Sequence, residues 1–298
     1  MRWRVALNGV SEKTLMFKFR FAAQLLLVGK RVAPAAIFSV SCIGMISTPL
    51  LAQGKIPRLQ SSDFGWLGGS EWSDPPRGLR GPLRNDPDYP YRGPTPRIGN
   101  WKDPVLKPWA AAQMKASNDE ITSGKRKVPF AAQAQCYPGG VPGQLLFAAE
   151  PLYFIQTPKI VYMIWQYDHI VRRVFLTDKH SENVKPSWFG ESIGTYESED
   201  TLVVDTIGLQ SKSSYIDNYR TPHTDKLHVT ERFTVGYDGS LAALVRVEDP
   251  DTFNEPLFMV QRWRKVPSEL LETVCAENNV FRFGENPFPM PRARRPDF

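Results

Sequence analysis

From Leu145 onward, apolar and polar residues alternate with a period of two, in short runs bounded by turn residues. Eight runs read as strands, at 145–148, 152–157, 160–167, 169–177, 193–198, 201–207, 226–236 and 241–249, and a ninth follows at 257–265. Tyr167-Asp168-His169, Glu199-Asp200 and Tyr237-Asp238-Gly239 are short enough to be hairpin turns. Successive hairpins make a meander, and a sheet of this size curls until closure removes its exposed edges. The predicted fold is mainly β: an antiparallel up-and-down barrel or strongly curved sheet of 8–9 strands, lipocalin-like in architecture. Residues 108–119 (PWAAAQMKASND) predict one short helix, with proline at its first turn and good helix formers behind it. No repeat of 20–50 residues and no βαβ pattern is present.

The rest of the chain divides by composition. Residues 57–108 hold ten prolines, which neither helix nor ladder tolerates, so 53–104 read as a disordered tether or, preferably, a partly ordered proline-rich strap. The barrel domain is expected at 105–284, closed by 270–276, and a loose tail at 285–298. Residues 32–52 are uncharged, follow Lys30 and Arg31 and end in Ala52, which predicts an export signal over 1–52 or, if uncleaved, a membrane anchor. Seven of 37 basic residues and one of 31 acidic residues lie in 1–52, leaving 30 of each in the body. The net charge of +6 belongs to the leader, and a neutral body gives no electrostatic reason to expect a nucleic-acid partner. A periplasmic or secreted location follows, with no membrane contact beyond the leader. Removing the leader takes Cys42 and leaves Cys136 and Cys275, an even pair predicted to be bridged in an oxidising compartment.

Candidate chemistry lies where parity breaks. Leu227, Val229, Phe233 and Val235 share one face with Glu231, and Ile170, Val174 and Leu176 share one with Arg172. If both faces point inward, Arg172 and Glu231 meet inside the barrel, joined by Asp205, Glu197 and Gln261. Such a group is either a buried ionic network that fixes register or the polar base of an apolar pocket walled by Trp165, Tyr196 and Trp263. His223 is placed at the rim, where it is a candidate acid or base. His223, Asp225, His228 and Glu231 cluster in sequence, but His228 and Glu231 face opposite sides of a strand, so no metal is predicted, nor any cofactor. Gly190-Glu191-Ser192-Ile193-Gly194 matches a hydrolase elbow only in letters, because a β-hairpin follows it and not a helix.

The segment WFGESIGTYESEDTLVVDT at 188–206 resembles the signature of a widespread family of exported bacterial proteins of uncharacterised function. The resemblance extends to CYPGGVP at 136–142, PHTD at 222–225, Glu231-Arg232, EDP at 248–250 and residues 272–279. Tyr196 and Ser198 stand where that family more often has tryptophan and glycine. It implies export and one continuous domain, and it draws attention to His223, Asp225, Glu231 and Asp205 without assigning roles.

Three functions fit the sequence. The first is an exported barrel that binds a small, partly apolar molecule in its interior, with Arg172 and Glu231 orienting a polar group. The second is an enzyme on that scaffold doing proton-transfer chemistry (isomerisation, hydration or elimination), with Glu231 or His223 as base. The third is a structural or envelope-interaction protein that works through its strap.

Overall fold

The computed structural model describes residues 57–89, 97–125, 132, 136–147 and 150–275. The expected leader at 1–52 and tail at 285–298 lie outside them. Nine strands follow the chain: β1 (Phe64–Gly68), β2 (Leu152–Gln156), β3 (Ile160–Trp165), β4 (Ile170–Phe175), β5 (Glu191–Ser198), β6 (Thr201–Ile207), β7 (His228–Val235), β8 (Leu241–Glu248) and β9 (Leu257–Pro267). They pair in chain order into a closed barrel, with β1 hydrogen-bonded to both β2 and β9. The helix α1 (Pro108–Thr122) starts at the expected proline and buries Ala110, Met114 and Asn118.

Eight of the expected strands are present, and three local expectations are corrected. The apolar run at 145–148 is not a strand; Gly143–Leu146 form a 3-10 turn whose residues are all buried, and 148 lies outside the described residues. An apolar run this short fits either structure, since periodicity needs a longer window. The missing strand is β1, inside the proline-rich segment, where two glycines in five residues hide the alternation. Gly68 is needed there, because a Cβ on it would lie 2.5 Å from the Trp263 ring across the β1–β9 pair. Finally, β4 and β5 are parallel and meet only at Val174–Ser192 and Phe175–Ile193. They are joined by the long connection 176–190, and a parallel neighbour requires such a crossover where a hairpin gives an antiparallel one.

Beyond β1, the strap runs along the barrel. Ser73 bridges Val260 on β9, the Trp72 indole donates to the Ile216 carbonyl at 3.2 Å, and Leu59, Trp72 and Leu83 are buried. Cys136 and Cys275 are disulfide-bonded, with Cα atoms 5.6 Å apart across a separation of 139 residues. Among the described residues no helix is long and apolar enough to cross a membrane.

Alternation fills the interior. Phe154, Met163, Val174, Val204, Phe233 and Val245 have no solvent-accessible surface, so no water-sized void adjoins them. Phe233 contacts Phe154 edge to face (5.7 Å between centroids) and Trp263 at 6.1 Å, while Trp165 stacks on Phe189 at 6.4 Å.

Candidate functional site

Arg172 on β4 and Glu231 on β7 meet within the barrel, 1% and 0% exposed. The guanidinium is bidentate: Nη1 donates to Glu231 Oε1 at 2.9 Å and Nη2 to Oε2. Nε donates to Ser192 Oγ at 3.0 Å and Nη2 also to Thr206 Oγ1 at 2.8 Å. Ser192, the serine of the GESIG segment, therefore sits inside a strand beneath Arg172, 3.0 Å from the Thr206 hydroxyl. Four of the five guanidinium N–H groups thus meet oxygen, the Met163 sulfur lies 4.0 Å from Nη1, and the group is sealed from solvent, as a buried ion pair needs to be. Glu231 presents no surface to a solute, and both its oxygens are engaged.

The other expected members lie elsewhere. Asp205 and Glu197 are on the outer face, which corrects their expected place beside the pair. On β6 the inward row is Leu202, Val204 and Thr206, leaving Val203, Asp205 and Ile207 outward; both rows carry aliphatic residues, so parity alone could not choose. Glu197 is exposed and paired with Arg232, Oε2 to Nη2 at 2.6 Å. Gln261 points inward but bonds the carbonyls of Gly69 (2.6 Å) and Leu145 (3.0 Å). Trp165 and Trp263 belong to the packed core, and the Tyr196 hydroxyl donates to Gln156 Oε1 at 2.6 Å.

His223 is buried, not on the rim. Its Nδ1 faces the Thr224 carbonyl at 2.9 Å, and its Nε2 has no partner among the described residues. Burial pushes its pKa down, partly offset by that carbonyl and by the charges of Asp249 and Asp225. Asp249 accepts from the Thr224 amide (2.6 Å), the Thr252 hydroxyl (2.7 Å) and the Asp251 amide (3.0 Å), knotting the β8–β9 loop to the loop that carries His223. Asp225 caps the Ser211 amide at 2.9 Å.

The outer face holds an arrangement that the sequence did not reveal, a chain of alternating carboxylates and imidazoles across β5 to β8. His180, in the β4–β5 connection, places Nδ1 3.0 Å from Glu191 Oε1 and Nε2 2.9 Å from Asp205 Oδ2. His228 places Nε2 2.6 Å from Asp205 Oδ1, with Nδ1 3.9 Å from Glu248, which Arg246 also grips. Ser181 adds its amide and hydroxyl to Glu191 at 2.7 and 2.6 Å. Burial raises the Asp205 pKa, but hydrogen bonds and charge from His228 and His180 outweigh it and hold the carboxyl at about 2. The Asp205 bond raises that of His228, partly opposed by burial and by Arg246. No local signal marks His180, because its partners are 11 and 25 residues away. Among the described residues no group of three or more His, Cys, Asp or Glu is arranged to hold a metal.

The chain of charges ends at an open cleft of about 550 Å³. It lies between the start of β7, the end of β8, the β8–β9 loop and the residue preceding α1, and is lined by Lys107, Lys226, His228, Glu248, Phe253 and Pro256 among others. Lys226 is paired with Asp251 at 2.8 Å, whereas Lys107 has no acidic partner among the described residues. The cleft thus combines the apolar side chains of Pro250, Phe253 and Pro256, the carboxylates of Glu248, Asp249 and Glu255, a carboxylate-oriented imidazole, and in Lys107 a cation with no acidic partner among the described residues.

No family model matches the chain, and no curated protein is significantly similar to it.

Proposed function

We propose that this is an exported β-barrel that binds a small, partly apolar molecule bearing an anionic group, and that it does so in the cleft beside His228 and not among the interior side chains. The observation that carries this reading is the division of labour between inside and outside. Phe154, Met163, Val174, Val204, Phe233 and Val245 fill the interior with no exposed surface, while the cleft offers about 550 Å³ with Phe253, Pro250 and Pro256 for the apolar body and Lys107 for the charge. Arg172 and Glu231 then serve as a register-fixing network. The disulfide and the leader pattern support export, and the signature segments support placing the chain with the exported bacterial family it resembles.

The test is native mass spectrometry of protein recovered from its producing cells, followed by calorimetric titration with aromatic and aliphatic carboxylates. Binding is expected, weakened at least tenfold by Lys107→Glu and unchanged in a folded Glu231→Gln variant. Absence of any bound or titratable carboxylate, or affinity indifferent to Lys107, refutes the proposal.

One observation favours catalysis as the second reading. His228 stands on the cleft wall with Asp205 orienting its Nε2, the geometry of a positioned general acid. In that case His228→Gln abolishes turnover of the bound molecule with little change in its affinity.

A further inference from the structure

The two faces of the sheet should differ in polarity wherever one is core and the other meets water. This holds for β7, whose outward row is His228, Thr230, Arg232 and Thr234. It fails for β2, β3 and β4. Their inward rows include Phe154, Val161, Met163 and Val174, yet their outward rows carry Ile155, Tyr162, Ile164, Val171, Arg173 and Phe175. Register joins these into one surface: Ile155 faces Tyr162, which faces Arg173, and Ile164 faces Val171. Ile155 and Val171 are 38% and 45% exposed, and none of these side chains packs against the barrel core.

Charge on this wall has one sign. Arg173, 5.7 Å from the centroid of the Phe175 ring, is the only charged side chain pointing outward from β2, β3 or β4. Lys159 and Lys179 stand at its edge, beside a second cleft of about 480 Å³ that continues the apolar surface through Phe175, Leu176 and Ile193. Neither lysine has an acidic partner among the described residues. Of the nearby acids, Glu191 is tied to Ser181 and His180 and Asp168 accepts the Cys275 amide, while Asp178 and Glu182 are exposed in the β4–β5 connection that also carries Lys179.

We propose that the outer face of β2–β4 is a docking face for an anionic lipid surface. Ile155 and Val171, on either side of β3, enter the headgroup region, Tyr162 lies at its boundary with its hydroxyl toward water, and Arg173, Lys159 and Lys179 meet lipid phosphates. A second copy of the chain is the poorer occupant, because a two-fold contact sets Arg173 against its own kind and the outward rows of β2–β4 carry no acid to answer it. The membrane contact is independent of the leader and of the cleft beside His228.

Lysine acylation followed by mass spectrometry tests this on the whole protein, and it reads the face itself. Vesicles of three parts phosphatidylcholine to one part phosphatidylglycerol are expected to slow labelling of Lys159 and Lys179 at least fivefold, and to leave Lys226 unchanged. Pure phosphatidylcholine should protect much less. Ile155→Glu with Val171→Glu, both surface changes, restores labelling; Arg173→Glu does the same without touching the apolar positions. Labelling that ignores anionic vesicles overturns the proposal. So does protection that rises with protein concentration in their absence, which would mark a contact between copies.

Discussion

Replacing Glu231 with glutamine changes almost nothing in shape and removes the one negative charge facing Arg172. The guanidinium keeps its proton in proteins, so it remains charged, buried and short of a partner. A glutamine offers one acceptor oxygen where two carboxylate oxygens now bind Nη1 and Nη2, and turns an amide N–H toward another donor. Ser192 and Thr206 still accept from Nε and Nη2 but supply no charge. Breaking one side of a buried pair costs about 3–5 kcal/mol. For a body of this size, each kcal/mol moves the melting temperature by about 2–4 °C, so a drop of roughly 6–20 °C is expected. Urea unfolding followed by circular dichroism and tryptophan fluorescence, with the disulfide kept oxidised, measures the difference. The companion variant Arg172→Met with Glu231→Leu removes both charges and should recover most of the loss, because the apolar interior then asks for no compensation. If Glu231→Gln is within about 1 kcal/mol of the parent, or the double variant is worse than the single one, the pair does not hold the barrel as argued.

The outer chain of charges gives a pH signature. Asp205, held at about 2 against an ordinary 3.8, contributes stability that is complete above pH 3.8 and lost as pH falls toward 2. His228, raised above 6.5, contributes below pH 6.5 and loses that contribution as pH climbs through its raised value. These two contributions are therefore both complete from about pH 4 to 6.5, reduced by salt because both groups are partly exposed, while His223, lowered by burial, subtracts stability as pH falls below 6.5. In His228→Gln the alkaline decline should shrink, and an unchanged profile would refute the linkage. Cys136→Ser with Cys275→Ser opens a 139-residue loop, with an expected cost near 5 kcal/mol from chain entropy, measured as a shift in midpoint. Gly190→Ala puts a Cβ 2.1 Å from the Ile207 carbonyl oxygen at φ +58°, and should cost about 2 kcal/mol in the same assay. A chain beginning at Ser70 lacks β1 and leaves the edges of β2 and β9 open, so light scattering should show aggregation where the full chain stays dispersed.

By itself the sequence determined the β class, eight of the nine strands, the helix at Pro108 and the bridged cysteines, because each is written in local alternation, turn residues or simple pairing. It also placed Arg172 and Glu231 on apolar faces, since a charge among aliphatic neighbours at a spacing of two shows in any frame. For Asp205 the same count misled, because β6 is apolar on both sides and only its register with β5 and β7 fixes which row turns inward. Tertiary structure alone decided that β1, from a segment dominated by prolines and glycines, closes the barrel, since its worth lies in the edges it covers and not in its own propensity. It alone brought His180 to Glu191 and Asp205, and turned the apolar wall of β2–β4 toward solvent. Contacts across such distances depend on how strands stagger around a closed sheet, and periodicity along one strand carries no record of that stagger.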